Sequence, residues 1–422
     1  MCIQRTLLSV PEGNFEYSRQ KRGLRSSLQR KTRVTRILMD SCDVLIIGGG
    51  PAGSTCAREL QRSGLCVVVM DKRCFPRDKT CAGWITPEVI KALQIDVEEY
   101  SRGRILQPIT GLQFCVLGRK EIQVCYEHVV SFGIRRCEFD DYLLQRCGAQ
   151  LRLGEELKTI ERAGNGWRVN NSIEARLIIG AGGHFCPIAR FMETKGASRE
   201  IVVAAQEVEF ELTKEQAADC RVKPEIPEIY FCHDLKGYGW CFRKGNFLNI
   251  GLGREHSSSV TRHTKQFLSF LKSRNRVPQD TLDSFHGHAY IIYGHTRREI
   301  FGDGLILIGD AAGLAYPYSG EGIRTAVESA LLAADTVIST KRDFRRTKLA
   351  PYEQQLFRRF GKPKPIAQFE GVTALFMRML LGTPWFLRHV AADRWFFHRQ
   401  IPALIATDHA TRTPMMRERG FG

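Results

Sequence analysis

Two rhythms of apolar and polar positions organise the chain. Continuous apolar runs make the first: DVLII at 43–47, LCVVVM at 65–70, and LILI from residue 305 into Gly309 and Asp310. Short runs of this kind are strands buried on both faces of a parallel sheet. A helix follows the first run at 52–63, where Ala57 and Leu60 fall at helical spacing. After Asp310 a small-residue turn leads to a helix predicted to start near Glu321. Alternation makes the second rhythm. Residues 201–212 (IVVAAQEVEFEL) alternate toward their end, and 227–232 form another short strand. Residues 237–253 alternate around aromatic side chains and break at Lys244-Gly245-Asn246, the pattern of an antiparallel hairpin. Tyr238, Trp240 and Phe242 share one face at period 2, either as a pocket wall or as core. A helix at 263–274 crosses this second sheet.

The expected fold is therefore α/β. A Rossmann-like parallel sheet (39–190 and 291–340) stands beside an antiparallel substrate domain (191–290, with parts of 82–130), between a leader (1–38) and a helical C-terminal segment (341–422). At 422 residues, 43% hydrophobic and 25% charged, the composition excludes wholesale disorder, collagen-like sequence and coiled coil. The net charge of +17 sits at the ends. Residues 1–38 carry nine Lys and Arg against two acids and 341–422 sixteen against six, which leaves 39–340 neutral. A neutral centre has no basic face for nucleic acid. The 14 cysteines form no CxxC pair, so no metal site is expected. Residues 7–10 are too short for a signal core, which points to a reducing, cytoplasmic setting. The leader reads as a disordered extension or as sequence ahead of a start at Met39, more than as a transit peptide. No run reaches the roughly 18–20 apolar residues that span a bilayer, because Arg378 interrupts the best candidate. Arg378, Arg388, Arg394 and Arg399 among Trp, Phe and Leu fit an interfacial, peripheral membrane contact; an ordinary helical cap is the other reading. Oligomeric state is not legible.

GGGPAGS follows the first strand, with Gly48, Gly50 and Gly53 in the GxGxxG pattern. The first glycine permits a tight turn, the second lets the backbone approach a pyrophosphate, and the third lets the helix pack on the strand. Pro51 and Ala52 open that helix, whose N-terminal N–H groups face phosphate. Asp71 ends the second strand, 23 residues after Gly48, placed for a ribose diol, with Lys72 beside it. The acid favours an unphosphorylated ribose, as in FAD or NAD.

This motif, paired with GDAAG…PxxGEGI at 309–323, resembles the FAD-dependent oxidoreductases of the para-hydroxybenzoate hydroxylase superfamily over about residues 40–340. The resemblance implies that Gly309 and Asp310 hold the flavin ribityl chain. It also implies that Gly320, Glu321, Gly322 and Ile323 aim a helix N-terminus at the flavin ring, where reduced flavin carries negative charge. FGIRRCEFDDYLL at 132–144 resembles the family's R-x-x-F-D helix start, with Arg136 toward the flavin or its phosphates and Phe139 and Leu143 in the core. LIIGAGGHFCPIAR at 177–190 stands where the family has G-A-D-G-x-x-S-x-x-R. Gly180, Gly183 and Arg190 match; Gly182 replaces the aspartate and Cys186 the serine. That departure counts against rapid direct reduction by NAD(P)H, leaving the donor as NAD(P)H or a reduced carrier.

Two segments narrow the resemblance to geranylgeranyl reductases. FPRDKTCAGWITPEVI at 75–90 resembles their PxxKxCGG segment with Lys79, Cys81 and Gly83 aligned, which implies that Cys81 lies beside the flavin. LKGYGWCFRKGNFLNIGLGR at 235–254 resembles GYxWxFPKGxxxNVGxG, with Tyr238, Trp240, Lys244, Gly245 and Asn249 in register and Arg243 in place of proline. The resemblance assigns Tyr238 and Trp240 to the pocket. A structural role suits His184, His286 and His288 better than metal binding. The expected activity is FAD-dependent reduction of a carbon–carbon double bond in an isoprenoid or similarly apolar small molecule, with Cys81, Tyr238 and Trp240 at the reacting centre. An FAD-dependent monooxygenase, and a flavin-retaining lipid- or partner-binding protein, are the alternatives.

Overall fold

The first apolar run is the middle of a parallel sheet. In a computed structural model, which describes residues 40–116, 120–193, 202–255, 259–281, 284–295, 298–364 and 371–406, strand Asp40–Ile47 lies between Ile173–Gly180 and Val67–Asp71. The leader and Met39 fall outside these residues. Leu305–Leu307 and Gln150–Leu153 extend the sheet in parallel on its two sides. Val44, Leu45 and Ile46 are fully buried, as a strand covered on both faces requires. Helices Pro51–Arg62 and Ile323–Ser339 pack together on the sheet. The second of these starts at Ile323 rather than near Glu321, because Gly320 takes φ +64° and Gly322 forms the N-cap.

The alternating runs build a seven-stranded sheet in the order His286–Ile291, Val202–Glu211, Phe247–Glu255, Gly237–Lys244, Glu228–Phe231, Gly111–Val116, Ile122–Cys125. Only the pair Glu228–Phe231 and Gly111–Val116 is parallel. Lys244 registers with Phe247, so Gly245 and Asn246 form the two-residue turn that the sequence marks. Period 2 divides the sheet's faces. Cys241, Leu248, Ile250 and Leu252 bury against helix Val260–Ser273. Trp240, Phe242, Phe114 and Phe231 face the other way, onto the C-terminal segment.

That segment joins both halves of the fold. In helix Pro351–Phe360, Tyr352 is buried and its hydroxyl donates to the Leu307 carbonyl at 2.9 Å. Helix Gly371–Leu380 and the π-helix Leu387–Phe396 cover the aromatic face of the second sheet, with Phe386, Phe396 and Phe397 in its core. The architecture is thus mixed α/β: a parallel sheet, antiparallel sheets and C-terminal helices. Among the described residues no helix is long and apolar enough to cross a membrane, and no cluster of His, Cys, Asp and Glu could hold a metal ion.

Candidate functional site

One continuous cavity runs from the glycine turn to the aromatic face of the second sheet. At its first end the chain turns from Ile47 into helix Pro51–Arg62, whose N-cap Gly50 has no side chain to occupy the free N–H groups. Gly48 sits at φ +115°, where a Cβ would come 2.4 Å from the Ala181 carbonyl oxygen. The Asp71 carboxylate accepts from the Gly49 N–H at 2.8 Å and the Arg73 N–H at 2.9 Å, which fixes the turn and leaves lone pairs toward the cavity. An uncapped helix start, a bare backbone and an oriented carboxylate together suit the phosphates and ribose of a dinucleotide.

The middle of the cavity is a charge cluster. Arg136 opens helix Arg136–Gln145 and grips Asp140 with two hydrogen bonds of 2.8 Å. Burial works against its charge, but Asp140 and the Cys81 side chain outweigh it and hold Arg136 protonated. Arg77 reaches the same carboxylate at 3.5 Å. Lys79 is pushed down to about 8, first by burial and then by Arg136. Asp310 follows the strand Leu305–Leu307 and pairs with His288 Nε2 at 3.4 Å. Burial opposes ionisation of Asp310, but the hydrogen bond from His288 and nearby positive charge prevail and hold its carboxyl below the usual range. Burial and Lys79 push His288 down. Facing Asp310 is Gly322, where a Cβ would stand 2.9 Å from its Oδ1. The N-cap Gly322 has no side chain, so the N-terminus of Ile323–Ser339 opens onto the cavity there, with the Glu321 carboxyl accepting from the Arg324 N–H at 2.6 Å; such a helix start suits the electron-rich edge of a flavin ring. The residues present fit FAD along the whole cavity.

At the far end stands the loop carrying Cys81. Its Sγ accepts from the Gly83 N–H at 3.4 Å, and Tyr238, Trp240, Phe242, Trp84 and Phe396 wall the cavity around it. A polar network ties this loop to the second sheet. Asn249 donates to the Cys81 carbonyl at 3.2 Å and to Glu207 at 2.8 Å, while its own carbonyl accepts from Trp240 Nε1 at 2.7 Å. Lys244, 1% exposed, donates to the Ala82 carbonyl at 3.1 Å and the Ile134 carbonyl at 3.0 Å, and pairs with Glu209. Burial pushes Glu207 up to about 7 despite the attraction of Lys244.

The cavity gathers Gly48, Gly50, Pro51, Ala52, Asp71, Cys81, Arg136, Gly183, Tyr238, Trp240, Asp310, Gly320, Glu321, Gly322 and Ile323 on one wall or another. Three residues expected at the cofactor lie off the cavity wall, and a fourth, Gly53, supports the cradle from beneath. Lys72 is exposed on a separate surface depression with Arg73 and Glu155. Gly53 packs under the turn, Gly180 against Leu307 and Ile188, and Gly309 beneath the helix, its N–H donating to Ser329 Oγ at 2.9 Å. The two readings of the aromatic face merge, since Trp240 and Phe242 are both core and cavity wall. Sequence reasoning missed Arg77, Glu207, Tyr290 and Phe396, and gave His288 no place at the cofactor. His288 and Tyr290 do alternate on one strand, the one signal that could have placed them together.

Residues 41–355 match the family model described as FAD binding domain. The chain is 26% identical to digeranylgeranylglycerophospholipid reductase 3 of Methanosphaera stadtmanae over 345 residues, 76% of this chain and 83% of that one. It is 28% identical to a menaquinone reductase of Mycobacterium tuberculosis over 371 residues, 82% of this chain and 86% of that one. Among solved structures, a geranylgeranyl bacteriochlorophyll reductase-like protein from Thermoplasma acidophilum superposes with a TM-score of 0.64 at 20% identity, covering 87% of this chain and 94% of that one.

Proposed function

The chain belongs to the FAD binding domain family and is an FAD-dependent oxidoreductase resembling the geranylgeranyl reductases; on that premise we propose that it saturates a carbon–carbon double bond in an isoprenoid chain. One observation carries the reading: Cys81 and the aromatic wall of Tyr238, Trp240 and Phe242 close the same cavity whose other walls are Asp310 and the Gly320–Ile323 turn. Bound, reduced FAD supplies a hydride. The alkene carbon left without hydride takes a proton from Cys81 or from a water that Cys81 positions, so one hydride and one proton convert C=C to CH–CH.

Every other part belongs to the protein. The aromatic wall binds the chain by apolar contact and excludes water, which strengthens the electrostatic interactions inside. Asn249 and Lys244 hold the Cys81 and Ala82 carbonyls, the backbone just after the thiol's Cα, fixing where the thiol stands. The helix start at Ile323, whose N-cap is the bare Gly322, stabilises negative charge at the ring edge. Electrons enter from NAD(P)H or a reduced carrier; Gly182, on the cavity wall where relatives of the superfamily carry an aspartate, favours the carrier.

Anaerobically reduced protein mixed with geranylgeraniol tests the proposal by product mass. Gain of two hydrogens per double bond is the expected result. A product carrying one added oxygen in air, with none reduced, would overturn it in favour of a monooxygenase.

A further inference from the structure

Helix Gly371–Leu380 turns an apolar face outward. Val372, Leu375, Phe376 and Met379 recur at i, i+3, i+4 and i+7 and are 82%, 54%, 60% and 61% exposed. Trp385, just beyond the helix, is 68% exposed. Five large apolar side chains on one short segment exceed the scattered exposure that a soluble surface shows, and such a cluster marks a docking surface. The inner face of the same helix is engaged: Ala374 is buried, and Met377 and Leu381 pack on the core of the second sheet. Core packing thus accounts for the helix and leaves its outer stripe unexplained.

Charge selects the occupant. Residues 361–406 carry six Lys and Arg against two acids. Of the acids, Asp393 is already taken by Tyr126 at 2.8 Å and Arg399 at 3.2 Å. Lys362, Lys364 and Arg394 are exposed in the same segment as an apolar stripe and a tryptophan, the composition that seats a helix in the headgroup layer of an anionic bilayer. A second observation points the same way. Met377 and Leu381 line a second cavity, with Tyr318 and Trp395, that shares Tyr238, Tyr290 and Gly320 with the cavity holding Cys81. The outward stripe and the wall of this cavity are thus opposite faces of one helix. A surface that seats this helix in lipid brings the second cavity to the source of an apolar chain.

We propose that the outer face of Gly371–Leu380, with Trp385, docks this protein on an anionic lipid bilayer. The docking itself does not rest on the reductase reading and is measured without turnover. The FAD-loaded full chain is sedimented with vesicles of phosphatidylglycerol and phosphatidylcholine, and with phosphatidylcholine alone. The protein is expected to pellet with the anionic vesicles, less so at high salt, and Leu375→Asp/Phe376→Asp to weaken binding by roughly a hundredfold with flavin absorbance unchanged. Should that variant fail to fold, Trp385→Phe supplies the readout: the vesicle-induced blue shift of tryptophan emission seen in the unaltered protein shrinks. Unaltered protein that stays in the supernatant overturns the proposal, as does a double variant that binds equally well. So does a chain that forms dimers dispersed by Leu375→Asp/Phe376→Asp without binding vesicles, since the stripe is then covered by a second copy.

Discussion

Gly53 sets the tightest steric limit in the cofactor cradle, since a Cβ there would stand 1.8 Å from the Gly48 carbonyl oxygen. The clash is with backbone, so either the turn or the helix must move. Gly53→Ala is therefore expected to purify without flavin, a result read directly from absorbance near 450 nm on the scale of ~1 FAD per chain. Cys81 makes the opposite prediction. Its side chain lines the cavity, where the thiol accepts from the Gly83 N–H and stands beside Arg136. Cys81→Ala should keep its FAD and lose turnover by roughly 10²-fold or more, the usual weight of a positioned proton donor. Unchanged turnover in a flavin-loaded variant would assign the proton to another group, with half-buried Lys79, pushed down to about 8, the nearest alternative.

At the scale of elements, the strands were the most legible part of the fold. Continuous and alternating apolar runs report burial on two faces or one, and burial is what the sheets impose. Boundaries shifted by one to three residues: the first strand begins at Asp40 rather than Asp43, the second at Val67 rather than Leu65. The polar network was not legible, because its members come from separate strands and the loop. Glu207, Glu209, Lys244 and Asn249 meet only through pairing, with Glu207 opposite Gly251 and Glu209 opposite Asn249. Each alone reads as a polar residue on an alternating strand. Lys244 shows what this hides. Its ammonium joins strand Gly237–Lys244 to the Cys81 loop and to strand Ser131–Ile134. Lys244→Met would take the donor from the buried Ala82 and Ile134 carbonyls and leave Glu209 to Arg135 and Asn249, at a cost of about 1–3 kcal/mol for each acceptor left unsatisfied. Chemical denaturation should report that loss, and the variant should lose turnover even where it remains folded.

The whole molecule responds to pH through carboxyls in both halves of the fold. Burial is the first cause for Glu207, Glu228 and Glu321, and each is pushed from 4.5 up to about 7. Between those values the folded chain holds protons that the unfolded chain has released, so stability from these groups falls as pH rises from about 4.5 to about 7. Above that range the loss is complete. Glu207→Gln keeps an acceptor for Asn249 and removes one titration, so the drop in melting temperature from pH 5 to pH 7.5 should be smaller than in the unaltered protein. An equal drop in both would place the proton elsewhere.

The cavity has one further property, which concerns time. Its walls come from Gly48 at one end of the described chain and Phe396 near the other, with Trp240 and Asp310 between. A ribosome adding about 5–20 residues per second needs roughly 20–70 s to make the ~350 residues that separate the first wall from the last. Lys244 and the wall residues Tyr238, Trp240 and Phe242 are made about midway through that interval, and Phe396 only at its end. The nascent protein can thus present its nucleotide turn early, yet it encloses a reactive centre only after Phe396 has been synthesised. Full shielding of the chemistry from water and oxygen waits on Phe396, and a chain terminated before it lacks that wall.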